Sequence, residues 1–315
     1  MVDSREAVGS VEREVASPPT ARVVQVLDFL VRHQGERFGL SELARRCRIT
    51  KPTCLGIVTE LTASGYLIRD SRTKSYGLGP ALVAAGRAAQ RDFALGSLVR
   101  DRLDGLSEQF GAICTAAAVV RDEVMVLEMV TPPGVSPPAS VGQVYPFAPP
   151  VGLMFVLWEP DEELNSWLRR EPVLSAGLDV EHVHRMAAEC RESGYLIESL
   201  TPTVRRLHRL MAGVAAHDMS PELRELVSEL VSGVGEPMFV RGALGDSAET
   251  HEVSLLAAPV FDSDGRQSMV LSVYVGGAIS NLEIAKRASA LKAVAAAVTA
   301  DVGGRNPFAR QETGR

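Results

Sequence analysis

The sequence predicts an α+β protein in two parts, on three observations. Over residues 20–79 apolar residues recur at helical spacing in three short segments and are followed by a hairpin signal. Beyond residue 110, strand pairs alternate with helices. The charge divides near the same place: residues 20–90 hold eleven Arg and Lys against five Asp and Glu, a local +6, while residues 1–19 carry −2 and residues 91–315 the −10 that brings the whole chain to −6. A basic module joined to an acidic one is the asymmetry expected when one part meets nucleic acid and the other does not. With 315 residues, 46% of them hydrophobic, the chain is long enough for two domains with cores, which excludes disordered, collagen-like and disulfide-stapled classes.

The first element follows from Val23, Val24, Leu27, Leu30 and Val31, an amphipathic helix from Ala21 to about His33 that Gly35 ends. A second, short helix runs from about Leu40 to Cys47, with Leu43 and Ala44 inward. After Arg48-Ile49-Thr50, Thr50 is placed to cap a third helix over Lys51 to Ser64, where Pro52 is tolerated in the first turn and Gly65 stops the helix. Its buried side is Cys54, Ile57, Val58 and Leu61. Tyr66 to Arg69 and Ser75 to Leu78 then flank a polar turn with basic residues at its tip. Helix, helix, tight turn, helix, hairpin is a winged helix-turn-helix, an order in which the third helix fits the DNA major groove and the hairpin reaches adjacent phosphates.

From Pro80 a helical stretch rich in Ala and Leu continues through about Gln109. The acidic part follows: strands at Thr115 to Val120 and Glu123 to Val130, helices at Val151 to Trp158 and Val180 to Ser193, strands at His251 to Val260 and Ser268 to Val275, and a closing helix from Asn281 to Asp301. Two further helical patterns lie in an insertion at about 201–250, the second capped by Ser220-Pro221 and stopped by Gly233. The expected divisions are a flexible tail 1–19, the winged helix-turn-helix domain 20–79, a linker helix 80–109, a second domain 110–302, and a flexible tail 303–315.

Cys47, Cys54, Cys114 and Cys190 form no C-x-x-C pair, so buried free thiols are expected rather than a zinc site or disulfides. His182-x-His184 on a helix places two imidazoles about 200° apart, and no metal is expected. No Walker A loop, no G-x-S-x-G and no Ser or Cys beside a partner His appears, so neither a catalytic role nor a cofactor is expected. A methyltransferase with a winged-helix dimerisation domain needs a Gly-rich turn after its first parallel strand, and Val275-Gly276-Gly277 is the nearest approach to one. No apolar run reaches the about eighteen residues of a membrane span, and the expected setting is the cytoplasm.

Leu40-Ser41-Glu42-Leu43-Ala44-Arg45-Arg46, Ile49-Thr50-Lys51-Pro52-Thr53, Gly65-Tyr66-Leu67 and Tyr76-Gly77-Leu78-Gly79-Pro80-Ala81-Leu82 together resemble the DNA-binding domain of IclR-type bacterial transcriptional regulators. Gly152 to Pro160, Glu189 to Tyr195 and Ala257-Ala258-Pro259-Val260-Phe261-Asp262 resemble that family's effector domain. The resemblance covers about residues 20–300 apart from the insertion. It implies a GAF-like α/β effector-binding domain, a small-molecule effector, a double-stranded operator with palindromic character, and a homo-oligomer, either a dimer or a dimer of dimers.

On exposed faces, the candidates for DNA contact are Arg46, Lys51, Thr53, Leu55, Gly56, Thr59, Arg69, Arg72 and Lys74. Leu55 and Gly56 stand where the family usually has an aromatic or His and then an Arg, which also admits a sensing module without DNA affinity. The effector candidates that the resemblance implies are Met129, Phe147, Pro149, Val151, Gly152, Met154, Phe155, Ala257 and Ser272. Pro149 and Leu153 replace a donor and a charge there, pointing to a bulky, apolar ligand covered by the inserted helices.

Overall fold

The computed structural model describes residues 17–33, 35–92, 95–137, 139–172, 179–199, 239–240 and 249–309. Two compact units divide the chain, Met1–Gly86 and Arg87–Arg315. The first is built from α1 (Pro18–Arg32), β1 (Phe38–Gly39), α2 (Leu40–Arg46), α3 (Lys51–Ala63), β2 (Leu67–Arg69) and β3 (Ser75–Leu78). Three antiparallel strands pair in the order β1-β3-β2. The core gathers Val26 and Leu30 of α1, Leu43 of α2, Cys54, Ile57, Val58 and Leu61 of α3, and Leu67 and Tyr76 of the hairpin. Sequence periodicity assigns the same inward face to α2 and α3, but in α1 it omits Val26, which is fully buried, and includes Val24 and Val31, which are 41% and 39% exposed.

At the start of α3, the Thr50 hydroxyl accepts the Thr53 amide at 3.4 Å, with Pro52 in the first turn. After α3 the chain must reverse tightly, and two glycines allow it. Gly65 has φ +75°, and a Cβ on Gly79 would lie 2.9 Å from the Leu67 amide nitrogen and closer still to the Gly65 carbonyl oxygen. That approach is held by the Gly79 amide donating to the Tyr66 carbonyl at 2.7 Å.

α4 (Ala81–Asp92) follows, and the second unit continues with α5 (Leu95–Phe110), β4 (Cys114–Val120), β5 (Glu123–Val130), β6 (Val144–Pro146), a 3-10 turn (Leu153–Phe155), α6 (Asp161–Leu168), α7 (Val180–Ser193), β7 (Leu196–Ser199), β8 (Phe239–Val240), β9 (Thr250–Phe261), β10 (Gln267–Ser280) and α8 (Asn281–Asp301). Among the described residues seven antiparallel strands pair in the order β6-β5-β4-β10-β9-β7-β8. Because side chains alternate along a strand, Leu256, Ala258, Leu271 and Val273 pack with α5 and α8, whereas Leu255, Ala257 and Val270 pack with α6, α7 and the 3-10 turn. The sheet is thus buried on both faces.

Several elements differ from the sequence expectation. The single helix over residues 80–109 is two, α4 and α5, and residues 93–94 between them are not described. Val151 to Trp158 is no α-helix: Gly152 has φ +94°, which right-handed helix excludes, and only the 3-10 turn forms behind the cis Pro149–Pro150 bond. The all-round burial of Leu153, Phe155, Val156, Leu157 and Trp158 hides any amphipathic period. α6 and the strands β1, β6, β7 and β8 were not foreseen. The inserted helical patterns lie outside the described residues, except that residues 239–240 pair as β8 and Thr250 opens β9. Residues 303–309 fold back: the Gly304 amide donates to Thr299 O at 2.7 Å, and Phe308 lies 6.1 Å from Phe261.

Candidate functional site

In the first unit, burial of Cys54, Ile57, Val58 and Leu61 fixes the rotation of α3 and turns Lys51, Leu55, Gly56 and Thr59 outward; Leu55 is 47% exposed. A groove of about 760 Å³ runs between α3 and the hairpin. It brings together five of the expected residues, Lys51, Leu55, Thr59, Arg69 and Lys74, and adds Ser41 of α2 and Thr73 of the turn. Ser41 is not among the expected contacts, to which α2 contributes only Arg46.

The hairpin tip is a built turn. Asp70 Oδ1 accepts the amides of Arg72 at 2.7 Å and Thr73 at 2.9 Å, and Lys74, at φ +56°, donates its amide to the Asp70 carbonyl at 3.0 Å. The Thr73 amide and then the Arg72 amide hold the Asp70 carboxyl below its ordinary range. With the backbone fixed this way, Arg72 stands exposed at the tip, and the Arg69 guanidinium lies 5.7 Å from the Tyr76 ring. Two expected residues take other work. Arg46 pairs with Glu42 at 3.2 Å and lies over the Phe38 and Phe29 rings, and the Thr53 hydroxyl meets Thr50 Oγ1 at 2.8 Å in the helix cap. Gly56 borders open space.

In the second unit, strand register lines up three expected effector residues. Met129 pairs with Thr115, Thr115 with Ser272, and Ser272 with Ala257, a row across β5, β4, β10 and β9 on the face toward α6 and α7. Tyr274 and Glu198 stand on that face one step along, each paired with Leu255. Burial raises the Tyr274 hydroxyl well above its ordinary range, with Glu198 and Tyr145 adding to the shift and a hydrogen bond to Thr115 opposing it. Ser272-x-Tyr274 is readable as strand alternation; placing Thr115 and Glu198 beside them requires the strand order, which sequence does not show.

Phe147 and Phe155 are brought together elsewhere, in a cleft of about 180 Å³ with Glu159, Trp167, Arg170 and Gln267. Arg170 Nη1 donates to Asp122 Oδ1 and to the Phe147 carbonyl, both at 3.1 Å. Pro149, Val151, Gly152 and Met154 shape the adjoining turn and do not line this cleft: Ala148 bridges Val151, a Cβ on Gly152 would lie 2.7 Å from Phe147 Cδ2, and the Met154 carbonyl accepts Gln267 Nε2 at 2.8 Å.

All four cysteines are free and buried; desolvation pushes the Cys47 thiol up to about 11 and those of Cys114 and Cys190 to about 12, the reverse of what a nucleophile needs. His184 Nε2 meets Asn165 Oδ1 at 3.0 Å, and no cluster of three His, Cys, Asp or Glu suited to a metal occurs among the described residues. No helix among them is long and apolar enough to cross a membrane.

The chain thus holds a winged helix-turn-helix unit and, after it in sequence, a unit built on an antiparallel sheet with helices on both faces. No protein-family model matches the chain. Over 103 residues, 33% of its length, it is 28% identical to the HTH-type transcriptional regulator TsaQ1/TsaQ2 of Comamonas testosteroni, and the match spans 37% of that relative. The IclR transcriptional regulator of Alicyclobacillus acidocaldarius superposes with a TM-score of 0.65 at 23% identity, covering 92% of this chain and 100% of that one. An IclR homologue of Microbacterium hydrocarbonoxydans, solved with 4-hydroxybenzoate, gives 0.58 at 18% identity over 90% and 98%. HmgR of Pseudomonas aeruginosa gives 0.57 at 19% over 90% and 97%. The chain has the fold of the IclR transcriptional regulators, as its motifs imply.

Proposed function

We propose that this chain is a ligand-responsive DNA-binding transcriptional regulator of the IclR type, working in the cytoplasm as a homo-oligomer on a palindromic double-stranded operator. The observation that carries the reading is the groove between α3 and the hairpin: Lys51, Leu55 and Thr59 from the helix and Arg69 and Lys74 from the hairpin face one space, within the module whose local charge is +6. A helix offering side chains to base edges with a basic hairpin beside it is the winged-helix docking geometry. Arg72, exposed at the tip, extends the same positive surface. Arg46 supports α2 instead of contributing a free charge.

Small-molecule control is read from the second unit. The row Met129, Thr115, Ser272, Ala257, with Tyr274 beside it, offers hydroxyl groups among apolar walls. Such a surface suits a ligand with a polar group on a bulky apolar body; the Microbacterium homologue was solved with a ring-bearing acid, 4-hydroxybenzoate.

Gel shifts with the chain's own upstream region across a salt series test the DNA half: a salt-sensitive complex is expected, and its complete absence leaves a sensing module without DNA affinity. Thermal shift against short and ring-bearing carboxylic acids tests the other half. Ring-bearing acids should stabilise the chain and Ser272→Ala and Tyr274→Phe should blunt the effect; stabilisation by short acids alone contradicts it.

A further inference from the structure

Lysine is scarce in this chain and concentrated where charge matters. It supplies four of the 33 basic residues, at 51, 74, 286 and 292. Two of those four, Lys51 and Lys74, are among the three cations that line the groove between α3 and the hairpin, Arg69 being the third. Elsewhere in residues 20–90 every cation is arginine. Phosphate contact does not account for the choice, because a guanidinium offers phosphate a planar fork of donors where an ammonium acts only as a point charge. Nor does the backbone ask for lysine. At φ +56° Lys74 sits in the left-handed region, which penalises lysine and arginine alike; the strain argues for keeping a side chain in place of glycine, not for this one. What lysine has and arginine lacks is a primary amine that can give up its proton and attack an acyl carbon.

Their surroundings divide the four amines. Lys51 and Lys74 are exposed, and neither side chain makes a hydrogen bond or ion pair among the described residues. Lys292, by contrast, donates to the Ser193 carbonyl at 3.0 Å and lies 5.4 Å from the Tyr195 ring centroid. Lys286, on α8, is exposed and as little engaged as the groove pair, which makes it an internal reference. The field differs, however. Lys51 and Lys74 belong to the segment of +6, with Arg69 in the same groove and Arg72 at the hairpin tip; Lys286 and Lys292 belong to the residues that carry −10. A cleft lined by one sign of charge raises the local concentration of small ions of the other sign, and acyl phosphates and coenzyme A thioesters are anions. At about 760 Å³, with the hydroxyls of Ser41, Thr59 and Thr73 beside its cations, the groove has room for an acyl phosphate.

We propose that Lys51 and Lys74 are acylation sites, at which the groove draws in an anionic acyl donor and loses charge by reacting with it. The deprotonated Nζ attacks the carbonyl carbon of an acyl phosphate. A new N–C bond forms as the C–O bond to the phosphate breaks, phosphate leaves with the electron pair, and the proton shed by the nitrogen passes to it or to water. Each event replaces an ammonium by a neutral amide. Arg69 and Arg72 do not react, so the positive surface is reduced in two steps and not erased. As a control on DNA affinity this rests on the DNA-binding reading above, whereas the preference for these two amines needs no DNA.

The test exposes the full, DNA-free chain to acetyl phosphate and follows occupancy at each lysine by mass spectrometry. At about 20 mM salt Lys51 and Lys74 should acetylate at least about fivefold faster than Lys286, and the ratio should fall toward one at about 1 M salt, where the field is screened. The N-hydroxysuccinimide ester of acetic acid, an uncharged donor, should show no such preference. In fluorescence anisotropy with a labelled duplex of the chain's own upstream region, acetylation should flatten the salt slope by at least about 0.9, one phosphate contact. Lys51→Arg with Lys74→Arg, which together keep both charges, should bind that duplex and hold the slope after the same treatment. Equal rates at Lys51, Lys74 and Lys286 in low salt overturn the proposal, as does a preference that survives high salt or appears equally with the uncharged donor. Duplex binding unaltered by acetylation overturns the control of DNA affinity. No duplex binding by the untreated chain refutes the DNA-binding reading instead, and the rate ratios alone then decide the two sites.

Discussion

Replacing Arg72 and Lys74 together by Gln removes two charges from the hairpin while leaving its backbone anchored, because the turn is held by Asp70 and main-chain amides and not by those side chains. Lys74 already sits at φ +56°, so Gln inherits no new strain there. If both cations meet phosphate, each releases close to one counterion, and the slope of log affinity against log salt should flatten by about 1.8 for the pair. At about 0.1 M salt each contact contributes roughly 0.9 × 1.4, near 1.2 kcal/mol, so the double variant should bind any duplex about sixtyfold more weakly. Extrapolated to about 1 M salt, the two proteins should bind alike, since the counterion contribution vanishes there. Fluorescence anisotropy with a labelled duplex at four salt concentrations measures both quantities, and thermal unfolding checks that the variant is folded. An unchanged slope refutes phosphate contact by the hairpin. A loss that persists undiminished at high salt refutes it too, because a salt-independent defect belongs to shape and not to charge.

Three other substitutions or conditions test the local structure. Gly56→Ala, on the outer face of α3 with no atom within 4 Å of the added Cβ, should raise stability by roughly 0.5–1 kcal/mol in thermal or urea unfolding; a loss would mean that the outer face is covered. Gly79→Ala should cost roughly 2–3 kcal/mol in the same assay, since its Cβ meets the backbone at Gly65 and Leu67, and a neutral result would disprove that approach. The Asp70 carboxyl is held below its ordinary range, so its bracing of the turn is complete above the unfolded value of about 3.9 and fades as pH falls through the lower folded value. Amide exchange at Arg72 and Thr73 should therefore lose protection only in acid. Protection lost already near neutral pH contradicts the bracing.

Where sequence and structure agree, the reason is local. α3 was readable because its cap, its Pro in the first turn, its apolar period and its closing Gly65 all act within one helix's length. α7 was readable for the same reason, with Asp179 accepting the Glu181 and His182 amides and Gly194 at φ +79° behind it. What sequence hid is non-local. The segment from Val151 to Trp158 is apolar on all sides because it fills the space between sheet and helices, and continuous burial erases the period that distinguishes helix from turn. Phe147 and Phe155 meet Trp167 and Gln267 only once β10 lies against the 3-10 turn. Glu159, which a sequence reading passes over as the end of an apolar run, becomes conspicuous only when its second oxygen is seen to lack a donor among the described residues.

The same contrast bears on how the proposed regulator would recognise its operator. The interior decides which residues α3 can offer: with Cys54, Ile57, Val58 and Leu61 committed to the core, Lys51, Leu55, Gly56 and Thr59 are among those turned outward, with Pro52, Glu60 and Ala63. Leu55 makes only apolar contacts, for which the methyl group of thymine is the natural partner in a major groove, and Gly56 offers nothing but backbone. One hydroxyl, at Thr59, and one ammonium, at Lys51, complete the set lining the groove on this helix apart from Thr62 and Ala63 near its end. Compared with a helix carrying a guanidinium at its centre, this one has few polar groups with which to reject a wrong base, while the hairpin beside it supplies Arg69, Arg72 and Lys74, whose charges carry no base information. An interface with that division binds tightly through phosphates and discriminates weakly through bases. The discrimination it lacks must then come from DNA shape, or from two copies of the module engaging two half-sites at a fixed spacing, which multiplies a weak preference without any new contact.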